Sequence, residues 1–224
     1  MKTYWHFLTK KTHNIFLLAA ACMPMTHAEF TGIIQEIPDD VREMMIGRSW
    51  IPNCPVPLEN LRYITVTHWG YDGQEHTGHI VVHAQIAEEI VAIFQELYEA
   101  HFPIERMEIV DVYDADDGRS MEANNSSAFC CRENTTFPGT FSLHSYGLAL
   151  DINPLVNPYV RGELVLPAGG RDYLDRSQEY MGGVTKSDDN ACYRIFTKYG
   201  YEWGGDFIGR IDYQHFHKPH TILK

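Results

Sequence analysis

Two stretches of the chain concentrate residues able to do hydrolytic chemistry. The first runs Ser142-Leu143-His144-Ser145-Tyr146-Gly147-Leu148-Ala149-Leu150-Asp151-Ile152-Asn153-Pro154. Read as a strand, 147–153 sends Leu148, Leu150 and Ile152 to one face and Gly147, Ala149, Asp151 and Asn153 to the other. The first face is core. The second leaves room for an ion and a ligand beside a carboxylate, and His144 on the preceding turn can fold over it; a core strand seldom places an Asp there without a partner. The second stretch, Tyr201 to His217, brings Asp212, His215 and His217 together. In a strand the two imidazoles share a face, and Asp212 can reach the same site from a bend. Metal-assisted hydrolysis needs this combination: zinc lowers the pKa of its water to roughly 7, and a nearby carboxylate takes the proton as the nucleophile attacks.

Two other clusters are weaker. His76, His79 and His83 are expected in a Gly-containing turn with no carboxylate placed as a base. Asp114, Asp116 and Asp117 lack the glutamate that closes a calcium loop, so they read as a solvated loop.

The elements around these stretches follow from periodicity. Tyr63 to His68 alternates as a strand, and Gly70 to Gly78 is a polar turn region. From about Ala84 to His101, Ile86, Ile90, Ile93, Phe94 and Leu97 recur at helical spacing until Pro103 stops the run. Met107 to Tyr113 reads as a strand. A polar loop, 114–141, follows; one that long in a compact domain is usually functional.

At 224 residues and 44% hydrophobic content the chain can bury one substantial core, and one domain, 29–224, is expected. The formal charge of -12, with no Lys/Arg cluster, argues against a nucleic-acid partner. Lys2, Lys10 and Lys11, the apolar run Ile15 to Cys22 and the small-x-small site Thr26-His27-Ala28 read as an export signal over 1–28. The apolar run is too short to span a bilayer. A lipoprotein variant through Cys22 is the alternative, with Ala19 standing where a larger aliphatic residue is preferred. A periplasmic or extracellular location fits the four cysteines then remaining, Cys54, Cys130, Cys131 and Cys192. Neighbouring cysteines rarely bridge each other, so the expected bonds join Cys54 and Cys192 to the Cys130-Cys131 pair, in either order.

The pattern Ser-x-His-x-x-Gly-x-Ala-x-Asp at Ser142 to Asp151, then Trp-Gly-Gly-Asp at Trp203 to Asp206 and Asp-x-x-His-Phe at Asp212 to Phe216, resembles a known family. It is that of the zinc D-Ala-D-Ala carboxypeptidases and L-Ala-D-Glu endopeptidases, which cut peptidoglycan stem peptides. Flanking text (Phe102-Pro103-Ile104, Asn124-Asn125-Ser126, Cys131-Arg132, Asn153-Pro154, Asn157-Pro158-Tyr159) looks like the branch containing phage endolysins, so the resemblance covers roughly Asp72 to Phe216. It implies His144, Asp151 and His215 as ligands of one Zn2+, with Asp212 as general base. Two neutral imidazoles and one carboxylate leave a net positive centre that acidifies water and polarises a carbonyl. It also implies Arg132 at the oxyanion or a substrate carboxylate, with Arg119 as rival, and Ser142 as a substrate contact. Trp203 is either cleft wall, with Gly204 and Gly205, or plain core. Two departures stand out: Phe207 in place of a larger aromatic, and His217 in place of an acid after His-Phe, which puts a second imidazole near the third ligand.

The expected fold is α+β: a small, mainly antiparallel sheet carrying the zinc site and flanked by helices, the Hedgehog/DD-peptidase-like arrangement that the resemblance also implies. The expected function is a zinc-dependent D-alanyl-D-alanine carboxypeptidase acting on peptidoglycan peptides. The alternatives are an L-Ala-D-Glu endopeptidase, hydrolysis of a different exported peptide, or a recognition module that binds zinc without catalysis. Retention of Asp212 favours an enzyme.

Overall fold

A computed structural model describes residue 1 and residues 29–134 and 137–223 of the protein. The export signal expected over 1–28, with Cys22, lies outside the described residues.

Among the described residues the first elements are β1 (Gly32–Gln35) and α1 (Asp39–Met45). The hairpin β2 (Leu61–Trp69) and β3 (Glu75–His83) follows, then α2 (Ala87–Glu99). β1, β2 and β3 form one antiparallel sheet. On α2 the stripe Ile90, Ile93, Phe94 and Leu97 is wholly buried against this sheet, as the helical spacing requires. Each such side chain contributes roughly 1.5–3 kcal/mol of burial free energy.

Several expectations are corrected at this level. The turn region is shorter than 70–78, because pairing extends to Trp69↔Glu75 and Gly70 and Gln74 close it. His76, His79 and His83 therefore sit on β3, where alternation puts His76 on the face opposite the other two. His76 meets Asp72 at 2.9 Å, His79 meets Thr65 at 3.2 Å, and His83 accepts from the Gln85 amide. In place of a strand over 107–113 there are β4 (Arg106–Met107) and a 3-10 turn, Val110–Tyr113. The long polar loop holds α3 (Asp117–Glu122) and β5 (Asn125–Ser126), which pairs in parallel with β4. Asp116 caps α3 by accepting from the Arg119 amide at 3.0 Å, so a side-chain cap starts a helix that lacks an apolar stripe.

The remaining strands are β6 (Ala149–Asp151), β7 (Tyr159–Arg161) and β8 (Leu164–Leu166). After α4 (Ala191–Lys198) come β9 (Glu202–Trp203), β10 (Ile211–Asp212) and β11 (His215–His217). They make two small antiparallel sheets, in the orders β6-β11-β9 and β10-β7-β8. The result is a mixture of helices with small, mainly antiparallel sheets, as expected, although divided among several sheets.

Leu148, Leu150, Ile152 and Phe216 enter the main core beside α2 and α4. A second core cluster gathers Val41 and Met45 of α1 with Leu58, Leu61, Val81 and Phe129. Here Cys54 is bridged to Cys131 across 77 residues of sequence. The other expected bond is not formed: Cys130 and Cys192 are buried free thiols. Cys192 lies in the main core on α4 while Cys54 and Cys131 lie in the second cluster. No helix among the described residues is long and apolar enough to cross a membrane.

Candidate active site

Local backbone chemistry aims His144. Ser142 precedes the 3-10 turn Leu143–Tyr146, and its hydroxyl accepts from the His144 amide at 3.3 Å. The turn ends at Gly147, whose φ of 67° favours glycine. A Cβ there would also stand 2.6 Å from the His83 amide nitrogen. With the turn held in this way, the buried His144 ring places Nδ1 2.6 Å from the Ala128 carbonyl. A carbonyl only accepts, so Nδ1 donates to it and Nε2 is the nitrogen turned toward Asp151 and His215, the one an imidazole held in this way offers to a metal.

Asp151 and His215 are supplied by register. β6 and β11 pair antiparallel with His215 opposite Asp151, so both side chains leave the same face at the same level. His144 Nε2 lies 3.2 Å from His215 Nδ1 and 3.2 Å from one Asp151 oxygen, and His215 Nδ1 lies 3.1 Å from the other. A tetrahedral ion with bonds of about 2.0–2.1 Å holds its donors roughly 3.3 Å apart. The three residues are thus close enough together to hold one metal ion. All three are buried. Burial alone would raise the Asp151 carboxyl, yet His144 and then His215 hold it well below the usual carboxylate range. Asp151 reciprocally raises His144 against its own burial. Asp151 and His144 thus each favour the charged form of the other.

His217 is separate from this triad. It stands opposite Ala149, its Nε2 is 3.5 Å from Glu202, and burial followed by repulsion from His215 and His144 drives its pKa down to about 3. The cluster that could hold a metal ion thus brings together His144, Asp151 and His215, and His217 is not part of it.

The triad opens into a cavity of about 290 Å³ that is also lined by Ser142, Arg132 and Asp212. Asp212 ends β10, and its Oδ1 is buried with no hydrogen-bond partner. Burial pushes its carboxyl up to about 6, with His215 opposing and Asp151 adding to the rise. Gly204 makes room for this group, because a Cβ there would lie 2.5 Å from the Asp212 carbonyl oxygen and 3.0 Å from His215 Cβ.

Arg132 pairs with Asp117 at 3.0 Å, and its charge is also held by Asp151 and Asp212. Ser145, which sequence reasoning passed over, fixes its backbone: the hydroxyl accepts from the Arg132 amide and donates to the Arg132 carbonyl, each at 2.9 Å. Arg119 is not brought to the site; it is mostly exposed and paired with Asp114 at 2.9 Å. Each member of the acidic run is thus committed, Asp114 and Asp117 to arginines and Asp116 to a helix cap. Trp203 belongs to the main core, where its Nε1 donates to the Tyr213 carbonyl at 2.9 Å.

Tyr159, Gln214, Phe137 and Arg210 also line the cavity and were not singled out in the sequence. Only the Tyr159 position carried a signal, as the end of Asn157-Pro158-Tyr159. Phe207 packs against both His215 and His217, at ring separations of 5.9 and 5.6 Å.

A family model described as D-alanyl-D-alanine carboxypeptidase matches residues 136–218. That segment contains the three residues of the triad together with Ser142 and Asp212. Neither a curated protein nor a solved structure matches the chain.

Proposed function

We propose that this chain, similar over 136–218 to the D-alanyl-D-alanine carboxypeptidases, is a zinc-dependent carboxypeptidase of peptidoglycan stem peptides. The observation that carries the reading is Asp212: a carboxylate with an unsatisfied buried oxygen, in one cavity with a His-Asp-His triad spaced for a tetrahedral ion. The buried donor set of two imidazoles and one carboxylate suits zinc. When bound, the ion supplies a Lewis acid that acidifies water and polarises a scissile carbonyl.

The chain's own residues supply the rest. Asp212, with its carboxyl raised by burial, takes the proton from the attacking water and can return it to the leaving amine. Arg132, pinned by Ser145 and Asp117, faces the negative charge that develops on the carbonyl oxygen. Ser142 contacts substrate from the cavity wall while its capping bond holds His144. We infer the Hedgehog/DD-peptidase-like fold from the resemblance. An exported enzyme, folded as one domain over 29–224, fits the amino-terminal pattern and the Cys54–Cys131 bridge.

The test is incubation of purified protein with defined muropeptides, with and without chelator, followed by product masses. Chelator-sensitive loss of one terminal alanine is the expected result. Release of a peptide that begins at D-Glu, with L-Ala left on the glycan, would replace the reading with an L-Ala-D-Glu endopeptidase. No change under either condition would leave a zinc-binding recognition module.

A further inference from the structure

The following rests on the peptidase reading and concerns how substrate is chosen. Two guanidinium groups line the cavity, and their states differ. Arg132 is committed to Asp117 at 3.0 Å. Arg210 is half-buried, and among the described residues no carboxylate lies within ion-pair distance of it and no acceptor takes its hydrogen bonds. In a chain with 30 acidic and 18 basic residues, an arginine at the site without an acid beside it is unusual.

Arg210 is also held in place. Its guanidinium lies 4.4 Å from the ring centre of Phe207 and 5.9 Å from that of Phe137. Stacking on aromatic faces leaves the N–H edge of a guanidinium free, and that edge matches a carboxylate with two parallel hydrogen bonds. The Phe207 ring then packs on His215 at 5.9 Å, so a single aromatic ring separates the free cation from a residue of the metal triad.

Both candidate scissile bonds present the same group beyond the cut. A terminal D-Ala carries a free α-carboxylate. A D-Glu joined onward through its γ-carboxyl also keeps its α-carboxylate free. In an ordinary α-linked peptide the equivalent carboxyl is consumed in the next amide. We propose that Arg210 binds the free α-carboxylate of the residue on the leaving-amine side of the scissile bond. This makes Arg210 the residue that refuses bonds in the interior of an ordinary α-linked polypeptide, without distinguishing carboxypeptidase from endopeptidase substrates.

Two uncleavable peptides test this, each with the scissile NH of an Ala-D-Ala unit replaced by CH2 and ending in either a carboxylate or a carboxamide. Their binding to the metal-loaded protein is measured by calorimetry. The wild-type protein is expected to prefer the carboxylate by about 10- to 100-fold, the worth of a charge-assisted hydrogen-bonded pair. Arg210→Gln is expected to abolish the preference while leaving carboxamide binding unchanged, which also reports that the variant is folded; Arg210→Lys should restore part of it. Equal wild-type affinities, equal weakening of both peptides in Arg210→Gln, or no binding of either would overturn the proposal. The corresponding cleavable peptides separate the two readings. An Arg210-dependent preference without cleavage keeps this inference and rejects the peptidase, whereas cleavage without the preference does the reverse.

Discussion

Asp212 keeps one buried oxygen unsatisfied, a state whose desolvation cost of a few kcal/mol is offset when the group exchanges a proton with a reacting partner. Asp212→Asn should therefore retain about one metal ion per chain and lose about 10²- to 10⁴-fold in turnover, read by metal analysis beside muropeptide hydrolysis. A base works only as the anion, so activity falls as pH drops through its pKa. A bound cation favours the anion further, so the acid limb of kcat/KM should lie at or below about 6, and Asp212→Asn should lack that limb. His217 gives the converse prediction. It stands opposite Ala149 and outside the triad, so His217→Ala should keep full metal stoichiometry while His144→Ala loses it; equal loss in both would reject the assignment of His215.

At the scale of elements, two glycines hold the site in different ways. Gly147 needs a positive φ and sits against the β3 backbone. Gly147→Ala should cost at least about 1–2 kcal/mol from the left-handed conformation alone, measured by denaturant unfolding. Gly204→Ala should act on Asp212 instead, lowering activity by about 10²-fold through misplacement of the base. The triad and Asp212 are legible in the amino-acid sequence because each motif is compact: a turn plus a strand carries His144 and Asp151, and a bend plus a strand carries Asp212 and His215. The stripe on α2 is legible for the same local reason. β1 is not, because its four residues are exposed and leave no alternation. α3 is not, because a capping aspartate starts it without apolar spacing. Arg210 and Phe137 carry no local signal at all, since only the folded chain puts them on one cavity.

For the whole molecule, the bridge from Cys54 to Cys131 ties the amino-terminal segment to the loop bearing Arg132. Reducing it should destabilise the protein by about 2–4 kcal/mol and lower Tm by roughly 5–15 °C, seen by comparing thermal unfolding with and without dithiothreitol. Cys130 and Cys192 should stay unreactive toward thiol reagents until unfolding, because burial pushes the Cys130 thiol up to about 12 and raises Cys192 well above the ordinary range. The pairing of β6 with β11 has a further consequence for assembly. Asp151 and His215 face each other there, while Leu150 and Phe216 face each other one step along and point into the core. A slip by a single residue on either strand would bury an ionic group in oil and turn an aromatic or aliphatic side chain out toward the ion. A metal bound at this junction would therefore favour the correct alignment, because a misregistered strand takes one of its three donors away.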